Sequence, residues 1–410
     1  MVDSTLFYII IGILLLQYVI ELVLSLLNAR KFTDPIPADL TDVFDAQEYE
    51  RSQRYKKENH QFGLLTSTFS LFLTLAFLLL GGFEWVDQWV RTITTHPILM
   101  ALLFFGIILL CSELLGIPFG LYHTFVIEEK YGFNKTTATT YITDKLKGWI
   151  LTAVLAGGVM ALIMWFYLWA GPQFWIYAWG LVAAFTIFMN LFYSRLIVPL
   201  FNKQVPLEEG SLKSKIEAYA SGVGFDLQNV FVIDGSKRST KANAYFSGFG
   251  KEKRVALYDT LIKDLEEEEI VAVLAHEIGH YKKKHIIINL ISSLLLTGLM
   301  LFILSIFINN PELSGAIGVS TPSFHAALIS FGLLYSPISE FTGLIMNYLS
   351  RKFEFQADAY AKKTFAAIPL INSLKKLSRH SLSNLTPHPA FVFVHYSHPP
   401  LYQRIRELKA

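Results

Sequence analysis

Cysteine is almost absent. The single thiol, Cys111, sits in the apolar run Phe104-Phe105-Gly106-Ile107-Ile108-Leu109-Leu110-Cys111, so an intramolecular disulfide is excluded and a buried small hydrophobe is the natural reading. Charge is scarce as well: 17% of the 410 residues are Asp, Glu, Lys or Arg and 53% are hydrophobic, against about 25% charged in soluble domains. That deficit excludes a chain soluble throughout and fits several membrane spans joined to a more polar part. Net charge is only +2, too little for an electrostatic footprint on nucleic acid, and neither a Gly-rich phosphate loop nor an aromatic RNA-binding motif occurs. The start Met1-Val2-Asp3-Ser4-Thr5 lacks the basic stretch of a secretory signal, and the apolar run behind it is long enough to cross a bilayer, so it reads as a retained span. No internal repeat and no low-complexity segment is found.

What is abundant is apolar length. Seven stretches can each cross a membrane, near 6–28, 62–82, 97–118, 148–170, 173–195, 286–309 and 322–348. The fourth and fifth form a hairpin across Gly171-Pro172-Gln173. Loop charge alternates. Arg30, Lys31, Arg51, Arg54, Lys56 and Lys57 fall in 29–61, Lys130, Lys135, Lys145 and Lys147 in 119–147, and Arg351 and Lys352 follow the last span. By contrast 83–96 holds a single Arg91, and 171–172 and 310–321 hold no Lys or Arg. The positive-inside rule then predicts the N-terminus outside, in lumen or periplasm, with the basic loops and the C-terminus in the cytosol.

Four regions follow: 1–195 with spans one to five, 196–285 as the first polar part, 286–349 with spans six and seven, and 350–410 as the second polar part. One soluble domain must be assembled from two pieces separated by two spans. Residues 212–219 read as helix, and 229–234 and 253–258 as strands. The acidic stretch 264–269 reads as a helix start that leads through residue 276 and on through Tyr281-Lys282-Lys283-Lys284-His285 into the sixth span. Lysines there fall at the membrane surface, where snorkelling explains them.

Residues 276–280 are His-Glu-Ile-Gly-His, the H-E-x-x-H spacing of a zinc peptidase. Helical positions four apart differ by about 40° around the axis, so His276 and His280 can bind one ion. Glu277 projects between them, where it can act on water at the metal rather than on the metal itself. A catalytic zinc needs a third protein ligand. Glu354 and Asp358, again four apart in Phe353-Glu354-Phe355-Gln356-Ala357-Asp358, are the candidates: one carboxylate can bind the metal, the other can accept the free N–H of a ligating histidine. Gln17, Glu21, Glu113, Asn190, Asn289 and Glu340 lie inside spans, where polar groups face protein or water.

Taken together, these motifs resemble the integral-membrane zinc proteases that process prenylated C-a-a-X proteins. Further stretches carry the resemblance over nearly the whole chain: Glu128-Glu129-Lys130-Tyr131-Gly132-Phe133-Asn134-Lys135-Thr136-Thr137, Asn243-Ala244-Tyr245-Phe246 and Tyr396-Ser397-His398-Pro399-Pro400-Leu401-Tyr402-Gln403-Arg404. The resemblance implies a multi-spanning α-helical membrane protein, with seven helices around a water-filled chamber and a mostly α peptidase domain carrying a small β-sheet. It implies one zinc per chain held by His276, His280 and Glu354, with Glu277 as general base and Asp358 behind a zinc histidine. Residues Asn243, Ala244, Tyr245 and Phe246 would pair with substrate backbone, and His398 and Arg404 would stabilise the oxyanion and hold substrate. By local context alone His398 is a turn residue and Arg404 a surface charge. The implied partners are a peptide or protein substrate, prenylated in the C-a-a-X case, and the lipid bilayer; nucleic acid is not among them, and the oligomeric state is left open. The implied reaction is cleavage after a prenylated cysteine; the other reading is quality control of misfolded or translocon-clogging membrane proteins. The short 310–321 loop and the ending Arg406-Glu407-Leu408-Lys409-Ala410, without an endoplasmic reticulum retrieval signal, favour a bacterial inner membrane over that reticulum.

Overall fold

The structure, a computed structural model, describes residues 5–227, 229–247 and 254–410. In chain order the helices and strands are α1 Thr5–Ala29, α2 Ala46–Leu79, α3 Gly82–Ile93, α4 Pro97–Tyr122, α5 Ala138–Ala170, α6 Phe174–Leu196, α7 Val198–Phe201, β1 Gln204–Pro206, α8 Ser211–Gly222, β2 Asn229–Ile233, β3 Ala244–Ser247, β4 Arg254–Tyr258, α9 Asp259–Asp264 and α10 Glu267–Lys282. They continue with α11 His285–Phe307, α12 Pro311–Gly315, α13 Phe324–Thr364, α14 Ala367–His380, α15 Pro389–His395 and α16 Leu401–Lys409.

Apolar runs in lipid must satisfy every backbone group internally, and these become helices. Among the described residues, six continuous helical segments are long and apolar enough to cross a membrane, the longest being Ala138–Phe201 with 64 residues. At 1.5 Å per residue that segment would extend about 96 Å, roughly three times a bilayer core of about 30 Å. It is a hairpin instead. The chain reverses at Gly171, with φ 54° and ψ −132°, a backbone that suits glycine, and α6 packs back on α5. Seven membrane-length helices result: α1, α2, α4, α5, α6, α11 and α13.

Two of them outrun the bilayer. In α2 the helix begins at Ala46, where the Asp45 side chain accepts from the Glu48 N–H at 2.8 Å, so the second half of the expected 29–61 loop is helical. With 41 residues, α13 is about 61 Å long and runs unbroken from the membrane to Glu354 and Asp358.

Polar groups in the spans are partly paired. Gln17 donates to Ser336 Oγ at 2.8 Å, Glu113 meets Lys145 at 2.9 Å and Glu21 lies 3.3 Å from His395. Asn190 donates to its own helix at Thr186 O, 2.9 Å. Asn289 and Glu340 are exposed and have no hydrogen-bond or ion-pair partner among the described residues. Cys111, read from the sequence as buried, is exposed on α4; an apolar run does not tell which face of a helix has a neighbour. A bare carboxylate facing lipid costs about 2.5–3.5 kcal/mol or more, so Glu340 is expected to face water. In a Cys111→Ser background, Glu340→Cys should react with a membrane-impermeant thiol reagent in native vesicles; absence of labelling would remove the support for a chamber there.

The sheet has order β1-β2-β4-β3, with β2 and β4 parallel and both edge strands antiparallel to their neighbours. The expected strand start Lys253 lies outside the described residues. Val230, Val255 and Leu257 pack on Ile270, Val271, Leu274 and Ile278 of α10. The spacing 270, 274, 278 is a single helical stripe, so His276 and His280 point away from the sheet. The acidic stretch divides in two: Asp264 ends α9, Leu265 is extended, and Glu266 caps α10 through reciprocal bonds with Glu269. The expected continuous helix into the sixth span is also broken. Lys284 takes φ 61° and ψ 23°, a left-handed conformation that costs a non-glycine residue about 1–2 kcal/mol, and α11 starts afresh at His285.

Candidate metal centre

The centre lies where α10 crosses α13, and Gly279 sets how closely they approach. A Cβ at Gly279 would stand 3.1 Å from Ala357 Cα and 3.2 Å from its carbonyl oxygen, so the missing side chain lets the backbones meet. That approach brings the two histidines to the carboxylates. His276 Nε2 and His280 Nε2 are 3.1 Å apart, Glu354 Oε2 is 3.4 Å from His276 Nε2, and Glu354 Oε1 is 3.3 Å from His280 Nε2. Among the described residues this is the one His/Asp/Glu/Cys group whose ligand atoms converge closely enough to hold an ion.

The donor set fits zinc. Ligands about 2.0–2.1 Å from a tetrahedral zinc stand about 3.3 Å from one another; the two imidazole nitrogens are 3.1 Å apart and each has one Glu354 oxygen at that range, Oε2 at 3.4 Å from His276 and Oε1 at 3.3 Å from His280. Glu354 Oε2 is buried and accepts no hydrogen bond. Two imidazole lone pairs and an orphaned carboxylate oxygen turned towards one point are what a cation satisfies.

Behind the triad, His276 Nδ1 lies 2.8 Å from Asp358 Oδ1, and donating there leaves the Nε2 lone pair free. Asp358 receives two more bonds, from Arg404 Nε at 2.8 Å and Nη2 at 2.6 Å. Arg404 is therefore not the surface charge its local context suggests: it is 9% exposed, and its third nitrogen lies 3.5 Å from Glu354 Oε2. Burial works against its charge, but Asp358 outweighs burial and raises its pKa. His398 is exposed, with Nε2 3.3 Å from Glu354 Oε1 and Nδ1 3.0 Å from Ser397 Oγ. Half-buried Glu277 forms no ion pair or hydrogen bond with a described residue.

Residues 243–246 lead into and form β3, an edge strand. Ala244, Tyr245 and Phe246 pair with Leu257, Ala256 and Val255 of β4, and no described strand covers their other side. Asn243 is exposed, and its carbonyl accepts from Tyr258 N at 3.0 Å. The 128–137 stretch anchors this edge to the membrane part. Glu128 accepts from Lys241 Nζ at 2.7 Å and Tyr55 OH at 2.5 Å, while Lys135 N donates to Arg238 O at 3.0 Å. Tyr55 and Lys241 were not legible as part of this edge, because nothing in their local sequence announces a partner 73 or 113 residues away.

The histidine beside Asp358 ties zinc uptake to pH. Burial disfavours the charged His276 ring, but the facing carboxylates of Asp358 and Glu354 outweigh burial and push its pKa up from 6.5 to about 9. A raised folded pKa adds stability that is fully present below the ordinary value and lost as pH rises through about 9. Chelator-stripped protein should therefore lose stability between pH 6.5 and 9. Zinc must displace that proton, so its affinity should climb by up to about tenfold per pH unit over the same window. Competition titrations at four pH values would check this; a flat profile would remove His276 as the proton competitor.

Comparison with known proteins agrees with this geometry. A family model described as "CAAX prenyl protease N-terminal, five membrane helices" matches residues 25–203, and one described as "Peptidase family M48" matches residues 206–410. A CAAX prenyl protease 1 homolog of Oryza sativa subsp. japonica is 36% identical over 405 residues, covering 97% of this chain and 95% of that one. The chain belongs to the CAAX prenyl protease 1 family of M48 peptidases. Its human homolog relative is 34% identical over 425 residues, covering 92% of this chain and 90% of that one. The crystal structure of S. mikatae Ste24p superimposes with a TM-score of 0.94 at 32% identity, covering 99% of each chain. The protein is thus a multi-pass membrane metalloendopeptidase of a zinc-dependent family, acting on peptide or protein substrates.

Proposed function

We propose that this peptidase removes the C-terminal tripeptide from prenylated C-a-a-X proteins by hydrolysing the bond after the modified cysteine. The observation that carries the reading is the convergence of His276, His280 and Glu354 on one point, next to an unpartnered Glu277. The prenyl-protein substrate is supported by the names of relatives that match over nearly the whole chain.

His276, His280 and Glu354 hold one zinc per chain. Bound zinc supplies a Lewis acid that makes water nucleophilic at neutral pH. Glu277 takes the proton from the attacking water and returns it to the leaving amine. His398, exposed at the open side of the triad, donates to the oxyanion of the tetrahedral intermediate. Arg404 has two nitrogens bonded to Asp358, so it acts chiefly by holding Asp358 on His276 and adds positive charge nearby. Substrate lies extended along residues 243–246, gaining main-chain hydrogen bonds at the β3 edge. The loop charges favour an outside N-terminus and a cytosolic peptidase domain made of 196–285 and 350–410, with the spans of 1–195 and 286–349 around a chamber.

The test is cleavage of a farnesylated C-a-a-X peptide by the purified chain, beside the same peptide without its lipid. Cleavage of the farnesylated peptide alone supports the prenyl-protein role. Equal cleavage of both moves the function to broader membrane-protein quality control, and cleavage of neither by zinc-loaded protein overturns the proposed substrate class.

A further inference from the structure

We infer that His285 is the positioning residue of the second triad histidine: it accepts the Nδ1 proton of His280 and is itself oriented by Gln356, so that His280 Nε2 keeps its lone pair for the metal. The inference rests on the zinc reading above and assigns a function to two side chains outside it.

The geometry is a chain of three links. His280 Nδ1 lies 3.1 Å from His285 Nδ1, and His285 Nε2 lies 2.9 Å from Gln356 Oε1. An amide oxygen can only accept, so His285 Nε2 carries the hydrogen. A neutral imidazole has one N–H, so His285 Nδ1 is bare and accepts. His280 Nδ1 is then the donor, and its Nε2, 3.1 Å from His276 Nε2 and 3.3 Å from Glu354 Oε1, is left without a proton. Reversing the Gln356 amide would reverse every link and aim an N–H at the metal point.

A buried histidine is more often a satisfied core residue than part of a site. Here the backbone argues otherwise. On an uninterrupted helix, residue 285 would stand about 140° around the axis from residue 280. The left-handed turn at Lys284 restarts the helix and returns the His285 ring to His280. There it is 2% exposed and lies flat on Phe353, with ring centroids 4.2 Å apart and planes 11° apart. Phe353 and Gln356 flank Glu354 on α13, so the helix that brings the carboxylate ligand also fixes the tautomer of His280. Asp358 does the corresponding job for His276, and each triad histidine thus has its own acceptor.

The experiment compares zinc affinity, by chelator competition on the purified full chain, for the unmutated protein, His285→Phe, His285→Asn and Gln356→Leu. His285→Phe keeps the aromatic stack and removes the acceptor. In His285→Asn the Oδ1 atom takes the place of the ring Nδ1 and still accepts. Gln356 is exposed, so Gln356→Leu tests the outer link without touching the core. Zinc should bind about 10–100-fold more weakly to His285→Phe and Gln356→Leu, with His285→Asn recovering most of the loss and zinc-saturated kcat retained in all three. Equal affinity in Gln356→Leu and the unmutated chain overturns the inference, as does an equal loss in the Asn and Phe variants. If His285→Phe fails to fold, the Asn and Leu variants carry the comparison. Failure of the unmutated chain to take up zinc overturns the metal reading and this inference with it.

Discussion

Glu277→Gln is expected to abolish peptide hydrolysis while the protein still binds one zinc. The side chain keeps its shape and loses only its ability to accept and return a proton. General-base removal typically costs 10²–10⁴-fold, or about 3–5 kcal/mol of barrier, and no neighbouring carboxylate is free to substitute. Glu354 faces His276, His280, Arg404 and His398, and Asp358 is held by Arg404 and His276. Because Glu277 bonds to no described side chain, its replacement should leave the fold and the triad intact. Metal analysis beside kcat/KM on one preparation decides the matter. Activity within about tenfold of the unmutated level would remove Glu277 as the base, and loss of zinc would show that it helps hold the metal.

Arg404→Met should have the largest effect on stability. Asp358 is 1% exposed, and two of its three bonds come from the Arg404 guanidinium. Breaking a buried pair by removing one partner costs about 3–5 kcal/mol, because the other charge is stranded. The second effect follows from the first: a displaced Asp358 releases His276 Nδ1, and zinc affinity should fall about 10–100-fold. The double change Arg404→Met with Asp358→Leu separates the two. It removes both charges and should recover much of the stability, but not the zinc affinity, since His276 still lacks its acceptor. Arg404→Met with stability and zinc intact and only kcat reduced would instead assign the guanidinium to the substrate.

Periodicity carried a good deal of this protein. The pairs 276/280 and 354/358 each sit four apart on one helix, and the structure sets both pairs at the α10–α13 crossing. Each apolar run falls almost wholly within one of the seven membrane-length helices, because in lipid an apolar run has no alternative to helix, although α2, α5 and α13 extend well beyond theirs. The misreadings share a cause. Residues 281–285 look like a helix that continues; the left-handed Lys284 is invisible to hydropathy. Cys111 looks buried because its run is apolar, yet α4 exposes it. Arg404 looks like any basic residue of a polar C-terminal helix until its partner, 46 residues back, is placed beside it.

By itself the sequence determined which chemistry was on offer: apolar runs long enough to be spans, and a histidine pair and a carboxylate pair at helical spacing. Those properties depend on neighbours within one or two turns, so the chain order contains them. Only the tertiary structure decided how these parts meet. The missing side chain at Gly279 lets α10 and α13 close together, the turn at Lys284 brings His285 onto His280, and Arg404 folds in from the C-terminal helix to hold Asp358. The Gly279 and Arg404 contacts join segments far apart in the chain, and the local turn at Lys284 is held by the packing of His285 on Phe353; no local pattern of residues encodes these.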